Sequence, residues 1–240
     1  MGKFWGMARD AADGHAILVL KEEFESDSLW WDIENPEITA PADFLEALAQ
    51  FDGERLTVEI DTYGGNVDVG MGIYRALKAR KGENVAHVRS KAMSSGTLPL
   101  MACTERLMSP DACIMIHDPS ACVWGADPEC LRSAADWLEQ LRDAVAEVYC
   151  GGTGLDRETV LQLMSDESFF GFRQAQRTGF ATGILDAAQD KEDAFMRYSR
   201  EGLKKAAGME GKKLAGQLGV WRQAEERSER AELARWARGE

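Results

Sequence analysis

Short apolar runs bounded by glycine or acidic residues set the rhythm of the first half of the chain. Ala16 to Leu20 follows Asp13-Gly14 and reads as a buried strand, with acidic residues 22–27 and Trp30-Trp31 behind it. Thr39 can cap a helix that places Phe44, Leu45 and Leu48 on one face and stops near Asp52-Gly53. Leu56 to Ile60 predicts a strand closed by the Gly64-Gly65 turn. Residues 68–80 return to helical spacing through Met71, Tyr74 and Leu77, and Val85 to Val88 is strand-like again. Strand, turn, helix, strand is a parallel crossover unit.

A second unit follows. A strand gives way at Ser94 to the apolar helical stretch Leu98 to Ala102, a surface turn is expected around Cys103 to Arg106, and Ala112 to Ile116 forms the next strand. Residues 127–150 predict a long amphipathic helix opened by Asp127-Pro128, with Leu131, Ala134, Leu138, Leu141, Val145 and Val148 on its apolar stripe. Leu155 to Met164 is another helix. Past Asp186 the composition turns to Lys, Arg, Glu and Ala with scattered glycines. We read residues 1–14 as an N-terminal segment, 15–187 as the α/β domain and 188–240 as a charged helical tail, whose mixed charges most simply form a solvated face.

Composition narrows the functional classes. The chain has 240 residues and is 45% apolar, enough for a substantial core, and its net charge of −13 would repel a phosphate backbone. Five cysteines, with no CxxC pair and no histidine at metal-ligand spacing, suit reduced thiols rather than a disulfide framework or a zinc site. No apolar run reaches the ~18 residues that span a bilayer, and Met1 to Trp5 lacks the apolar region of a signal peptide. These features predict a cytoplasmic protein with no membrane partner and no nucleic-acid partner.

The candidate chemistry is a serine hydrolase. A glycine pair, a hydroxyl among small residues in Ala92-Met93-Ser94-Ser95-Gly96, and an imidazole ending the apolar run Met115-Ile116-His117 occur in that order. A serine hydroxyl needs a base to take its proton, and the tetrahedral intermediate needs N–H donors. Of the three histidines, His117 alone follows a strand and precedes Asp-Pro, where a side chain can leave the sheet for a cleft; His87 within a strand and His15 beside a turn read as half-buried or surface groups. The residues alone favour Ser94 as the cap of the following helix over a nucleophile, because a serine before an apolar run more commonly caps it. The methionines at 71, 93, 101, 108 and 115 read as core.

The segments Ile60 to Val67, Met71-Gly72-Ile73-Tyr74, Ala92 to Gly96, Met115 to Pro119 and Gly179-Phe180-Ala181-Thr182 share an order and approximate spacing with a known family. The chain resembles the proteolytic subunit of Clp protease, and more closely the phage and prophage head-maturation proteases, over roughly residues 15–187. The resemblance implies a crotonase-like α/β spiral of repeated strand-strand-helix units, a helical arm from residues 120–150, and assembly into heptameric or doubled rings enclosing a chamber. It implies Ser94 as nucleophile, His117 as base, and the N–H groups of Gly65 and Ser95 as the oxyanion hole. Counting back from Gly179, the family's acid falls on Glu167, with Asp166 beside it as the alternative, or the site works as a dyad. Tyr63 stands where the family has proline, and Asp61-Thr62 replaces a typical Asn-Ser, which leaves the turn plausible but alters its substrate contacts.

The implied function is a serine endopeptidase without cofactor or metal, cleaving capsid or scaffold protein inside an assembling prohead. Alternatives are the proteolytic subunit of an ATP-dependent protease, which would need apolar pockets for its unfoldase, a crotonase-fold acyl-CoA enzyme, or a catalytically silent ring scaffold. No GxxxxGK[ST] segment is present, so the chain carries no P-loop ATPase motif.

Overall fold

The computed structural model of the chain describes residues 4–10, 14–24 and 42–185, all within a compact unit of Met1–Phe195. The Thr39 cap, the Trp30-Trp31 segment and the charged tail expected to be helical lie outside the described residues.

The sheet grows from strands whose apolar residues alternate. β1 (Trp5–Arg9) and β2 (Ala16–Phe24) pair antiparallel, so part of the segment preceding residue 15 is built into the sheet. β3 (Leu56–Gly65) and β4 (Asn84–Met93) then add parallel to β2. In β3, Leu56, Val58 and Ile60 are buried and Glu59 and Asp61 point to the opposite face, the two-residue period of a pleated strand. Parallel neighbours require a crossover, supplied by α2 (Val67–Ala79). Asn66 starts it, its Oδ1 accepting from the Val69 N–H at 3.1 Å, and Val69, Met71, Ile73 and Leu77 are its buried face.

Strand β4 is long enough to serve two partners. Val85 to Val88 pair with β5 (Glu105–Met108), while Lys91 to Met93 pair with β6 (Cys113–Ile116). A single turn of 3₁₀-helix at Ser94–Gly96 and the buried α3 (Thr97–Met101) connect β4 to β5. The turn expected around Cys103 to Arg106 is confined to residues 102–104, and β5 takes over from Glu105. Cys103 is buried, and the Arg106 guanidinium donates to the carbonyls of Cys103, Gly152, Gly179 and Phe180 at 2.8–3.2 Å. Distant carbonyl partners, invisible to local patterning, turn a charged residue into a half-buried tie.

The remaining elements are α1 (Ala42–Ala49), α4 (Pro128–Thr153), α5 (Arg157–Ser165), β7 (Ser168–Phe170), α6 (Phe172–Arg177) and β8 (Gly183–Ile184). β7 runs antiparallel to β6, and β8 parallel to β5. The Asp127 carboxylate accepts from the N–H groups of Glu129 and Cys130 to open α4, and Gly154 closes it at φ 80°. Only the last turns of its predicted stripe are covered: Val145, Ala146, Val148 and Tyr149 are buried, whereas Leu131 is 50% exposed and Trp124, just before the helix, 90%. No described helix is long and apolar enough to cross a membrane.

Candidate active site

Ser94 stands where β4 ends, at a φ of 52°, a left-handed conformation that a residue with a side chain adopts at a cost. Two contacts hold it there. The Thr97 N–H and the Thr97 hydroxyl both reach the Ser94 carbonyl, the hydroxyl at 2.6 Å. From the other side the end of β3 leans on the turn: a Cβ at Gly64 would lie 2.5 Å from the Met93 carbonyl oxygen and 2.9 Å from both Ser94 Cβ and the Ser95 nitrogen. Only glycine allows that approach, and its φ of 91° suits no other residue. The neighbouring Gly65, at φ 128°, has its carbonyl hydrogen-bonded by the Ser95 hydroxyl at 3.2 Å.

His117 leaves the sheet immediately after β6, and its Nε2 lies 2.7 Å from Ser94 Oγ. A sequence separation of 23 residues is closed by the pairing of β6 with the end of β4, which sets the two side chains side by side. In the tautomer with its proton on Nδ1, Nε2 accepts the hydroxyl proton. Both residues line a cavity of about 70 Å³ together with Gly65, Ser95, Leu98 and Tyr149. Ser94 and His117, the expected nucleophile and base, thus share one cleft with the two expected oxyanion-hole residues.

The acidic residues are arranged differently. The β6–β7 ladder ends with Ile116 paired to Ser168, so His117 and Glu167 are the residues that flank its last pair. The Met164 carbonyl accepts from both the Asp118 and Glu167 N–H groups, at 3.2 and 3.1 Å, drawing the two backbones together. Glu167 has φ 51°, and its exposed carboxylate makes no hydrogen bond among the described residues. Asp166 instead accepts from Gln162 at 2.8 Å, on its own helix. A carboxylate the sequence reading passed over, Asp118, has a buried oxygen without a described partner, and it faces a separate cavity with Arg142, Arg157 and Leu161.

Sequence reasoning also passed over Thr97 and Tyr149. The Tyr149 hydroxyl lies 2.7 Å from Thr97 Oγ1, a contact across 52 residues that no local signal could announce. His87 is occupied away from the cleft, its Nδ1 2.9 Å from Glu59, which Arg89 also binds. All five cysteines are free, and burial pushes the Cys103 and Cys113 thiols up to about 12, so neither is a nucleophile at neutral pH.

A family model described as Clp protease matches residues 37–188, more than half of the chain. The chain is 30% identical over 139 residues to an ATP-dependent Clp protease proteolytic subunit of Deinococcus radiodurans, covering 57% of this chain and 68% of that one. Against the subunit of Chara vulgaris it is 29% identical over 131 residues, 53% of this chain and 59% of the relative. Against proteolytic subunit 2 of Corynebacterium diphtheriae it is 28% identical over 136 residues, 56% of this chain and 68% of the relative. Among solved structures, a ClpP1 point mutant from Listeria monocytogenes superposes with a TM-score of 0.58 at 17% identity, covering 75% of this chain and 94% of that one. That superposition identifies the α/β fold.

Proposed function

Because the chain belongs to the Clp protease family and is a serine-type peptidase, we propose that it cleaves polypeptides through an acyl-enzyme on Ser94. The carrying observation is the 2.7 Å contact between Ser94 Oγ and His117 Nε2 in a cleft shared with Gly65 and Ser95. Oγ attacks the scissile carbonyl carbon as its proton passes to Nε2, and the Gly65 and Ser95 N–H groups receive the oxyanion. The C–N bond breaks as His117 returns that proton to the leaving amine. Water, deprotonated by the same imidazole, then releases the acyl group and regenerates Ser94. Glu167 orients the imidazole and stabilises its cation, a role supported by the Met164 carbonyl, which accepts from both the Asp118 and Glu167 N–H groups and brings their backbones together.

The proposed setting is a phage or prophage, with capsid or scaffold protein as the polypeptide substrate. The protein acts in the cytoplasm or within an assembling prohead, as a heptameric or doubled ring and without an ATPase. The order and spacing of its motifs support this. So does the face of β3 and β4 away from the core, where Glu59 pairs with His87 and Arg89, and Asp61 with Lys91 at 2.6 Å. A partner that docks through apolar contacts finds an ion-paired stripe there. The exposed Val123, Trp124 and Leu131, within the expected arm, suit contacts between subunits. A second reading, a proteolytic subunit fed by an ATP-dependent unfoldase, is favoured by what the curated relatives are called.

Intact-mass spectrometry after incubation with a fluorophosphonate tests the chemistry. A single adduct that is lost in Ser94→Ala and in His117→Ala is expected, and an unmodified wild-type chain would overturn the assignment. Digestion of reduced, carboxymethylated casein by the protein alone separates the two settings. Cleavage without nucleotide or partner supports the ATP-independent reading, whereas cleavage of short peptides only supports an unfoldase-fed chamber.

A further inference from the structure

We propose that Thr97 and Tyr149 are positioning residues, a buried pair of hydroxyls that aims the Ser95 N–H at the oxyanion by fixing the peptide unit between Ser94 and Ser95. The inference rests on the serine-peptidase reading and adds to it the device that holds the oxyanion hole in shape.

The direction of the relay follows from counting protons. Thr97 Oγ1 lies 2.6 Å from the Ser94 carbonyl, which can only accept, so the threonine spends its single hydroxyl proton there. At 2.7 Å from the Tyr149 hydroxyl the same oxygen must then accept, and the tyrosine donates. The chain runs Tyr149 O–H to Thr97 O–H to the Ser94 carbonyl. Thr97 is 0% and Tyr149 1% exposed, so water does not compete for these groups. Burial also pushes the Tyr149 phenol well above its ordinary range, so it keeps the proton it donates.

The consequence comes from peptide planarity. The Ser94 carbonyl and the Ser95 N–H belong to one flat unit and point in opposite directions. Anchoring the oxygen on the buried side, against α3 and α4, turns the N–H outward, toward the cleft that Ser95 lines with Ser94 and His117. Ser94 needs that anchor, because its φ of 52° is not a conformation it would hold unaided. The relay also joins the nucleophile turn to α4, on which Tyr149 is wedged edge-on against Phe180 at 5.4 Å.

The experiment compares Thr97→Val, Thr97→Ser, Tyr149→Phe and the Thr97→Val/Tyr149→Phe double variant. It reads steady-state peptide cleavage, the rate of fluorophosphonate labelling at Ser94, and thermal unfolding. Losing one buried hydrogen bond and loosening an oxyanion donor is expected to lower kcat about 10-fold in Thr97→Val with KM unchanged. Thr97→Ser, which keeps the hydroxyl, restores the rate to within about twofold, and Tyr149→Phe, which keeps the ring, loses about threefold. Acting in series, the two losses do not add: the double variant matches Thr97→Val. Equal kcat in wild type, Thr97→Val and Tyr149→Phe overturns the relay, as does a loss confined to thermal stability. Should Thr97→Val fail to fold, Tyr149→Phe and Thr97→Ser decide alone. A wild-type protein that is never labelled at Ser94 overturns the serine-peptidase reading itself, an outcome distinct from a labelled wild type with an indifferent Thr97.

Discussion

Replacing Gly64 by alanine tests whether β3 and the nucleophile turn are built against each other. Two costs arise together. Alanine at a φ of 91° is strained whatever space surrounds it, at roughly 1–2 kcal/mol. The added methyl also falls 2.5 Å from the Met93 carbonyl and 2.9 Å from Ser94 Cβ and the Ser95 nitrogen, where ordinary contacts begin at 3.4 Å. Overpacking of this kind costs about 1–3 kcal/mol, so a loss of ~2–5 kcal/mol is expected, a large share of the ~5–15 kcal/mol that holds a typical domain together. All three contacted atoms lie in the backbone or at Cβ of residues 93–95, so no flexible side-chain end can yield and relief requires moving the turn. Displacing the nucleophile by an ångström costs catalysis on the order of 10²-fold. Urea unfolding measures the first effect, and the rate of fluorophosphonate labelling, compared at equal folded concentration, measures the second. Gly53→Ala is the control: its φ is 84° with nothing within 4 Å of a new Cβ, so it should carry the backbone strain and leave labelling unchanged. Gly64→Ala labelled within about twofold of wild type, against the ~10²-fold expected, would refute the reasoning, as would a Gly53→Ala variant that lost labelling equally.

Glu167→Gln should lower kcat for peptide cleavage by about 10²-fold, the scale of losing an imidazole's partner, while Asp166→Asn, bonded to Gln162 on its own helix, stays near wild type; the reverse pattern would transfer the role to Asp166. Arg106→Ala removes the donors to the Cys103, Gly152, Gly179 and Phe180 carbonyls and should cost ~3 kcal/mol in urea unfolding; a loss below about 1 kcal/mol would show that water replaces the guanidinium. For Glu59, burial raises the carboxyl pKa, but hydrogen bonds from His87 and Arg89 together outweigh it and leave the pKa below its ordinary value. A folded-state pKa below the unfolded one, ~4.3, means stability that is present above that value and lost as pH falls through the folded one. Glu59→Gln should therefore flatten the acid limb of a Tm-against-pH curve below about pH 4.3, and an unchanged limb would show that the pairing contributes nothing.

Local signals carried much of this protein. Hydrophobic period, glycine turns and caps are properties of neighbouring residues, so the order β3, α2, β4, α3, β6, α4, α5 was legible before any coordinates, and Asp127-Pro128 marked the start of α4 to the residue. The motif order likewise singled out Ser94 and His117, now seen 2.7 Å apart. What stayed hidden depends on residues far apart in the chain. β5 was not read as a strand because the partners that pair with it, β4 and β8, lie far before and far after it in the chain, Val85 against Glu105 and Gly183 against Leu107. The stripe along α4 reads as uniformly apolar, yet only its C-terminal end meets the core, because burial is set by what packs opposite and not by the helix itself. The Glu167 backbone is drawn to that of Asp118 through the Met164 carbonyl, and Tyr149 meets Thr97 across 52 residues, through the packing of α4 on α3. The sequence by itself determined most of the elements and singled out the candidate pair Ser94 and His117, since those follow from side-chain type and spacing. Only the tertiary structure decided which buried hydroxyls, carbonyls and glycines hold that pair in place, because hydrogen bonds and close backbone approaches are settled by three-dimensional proximity.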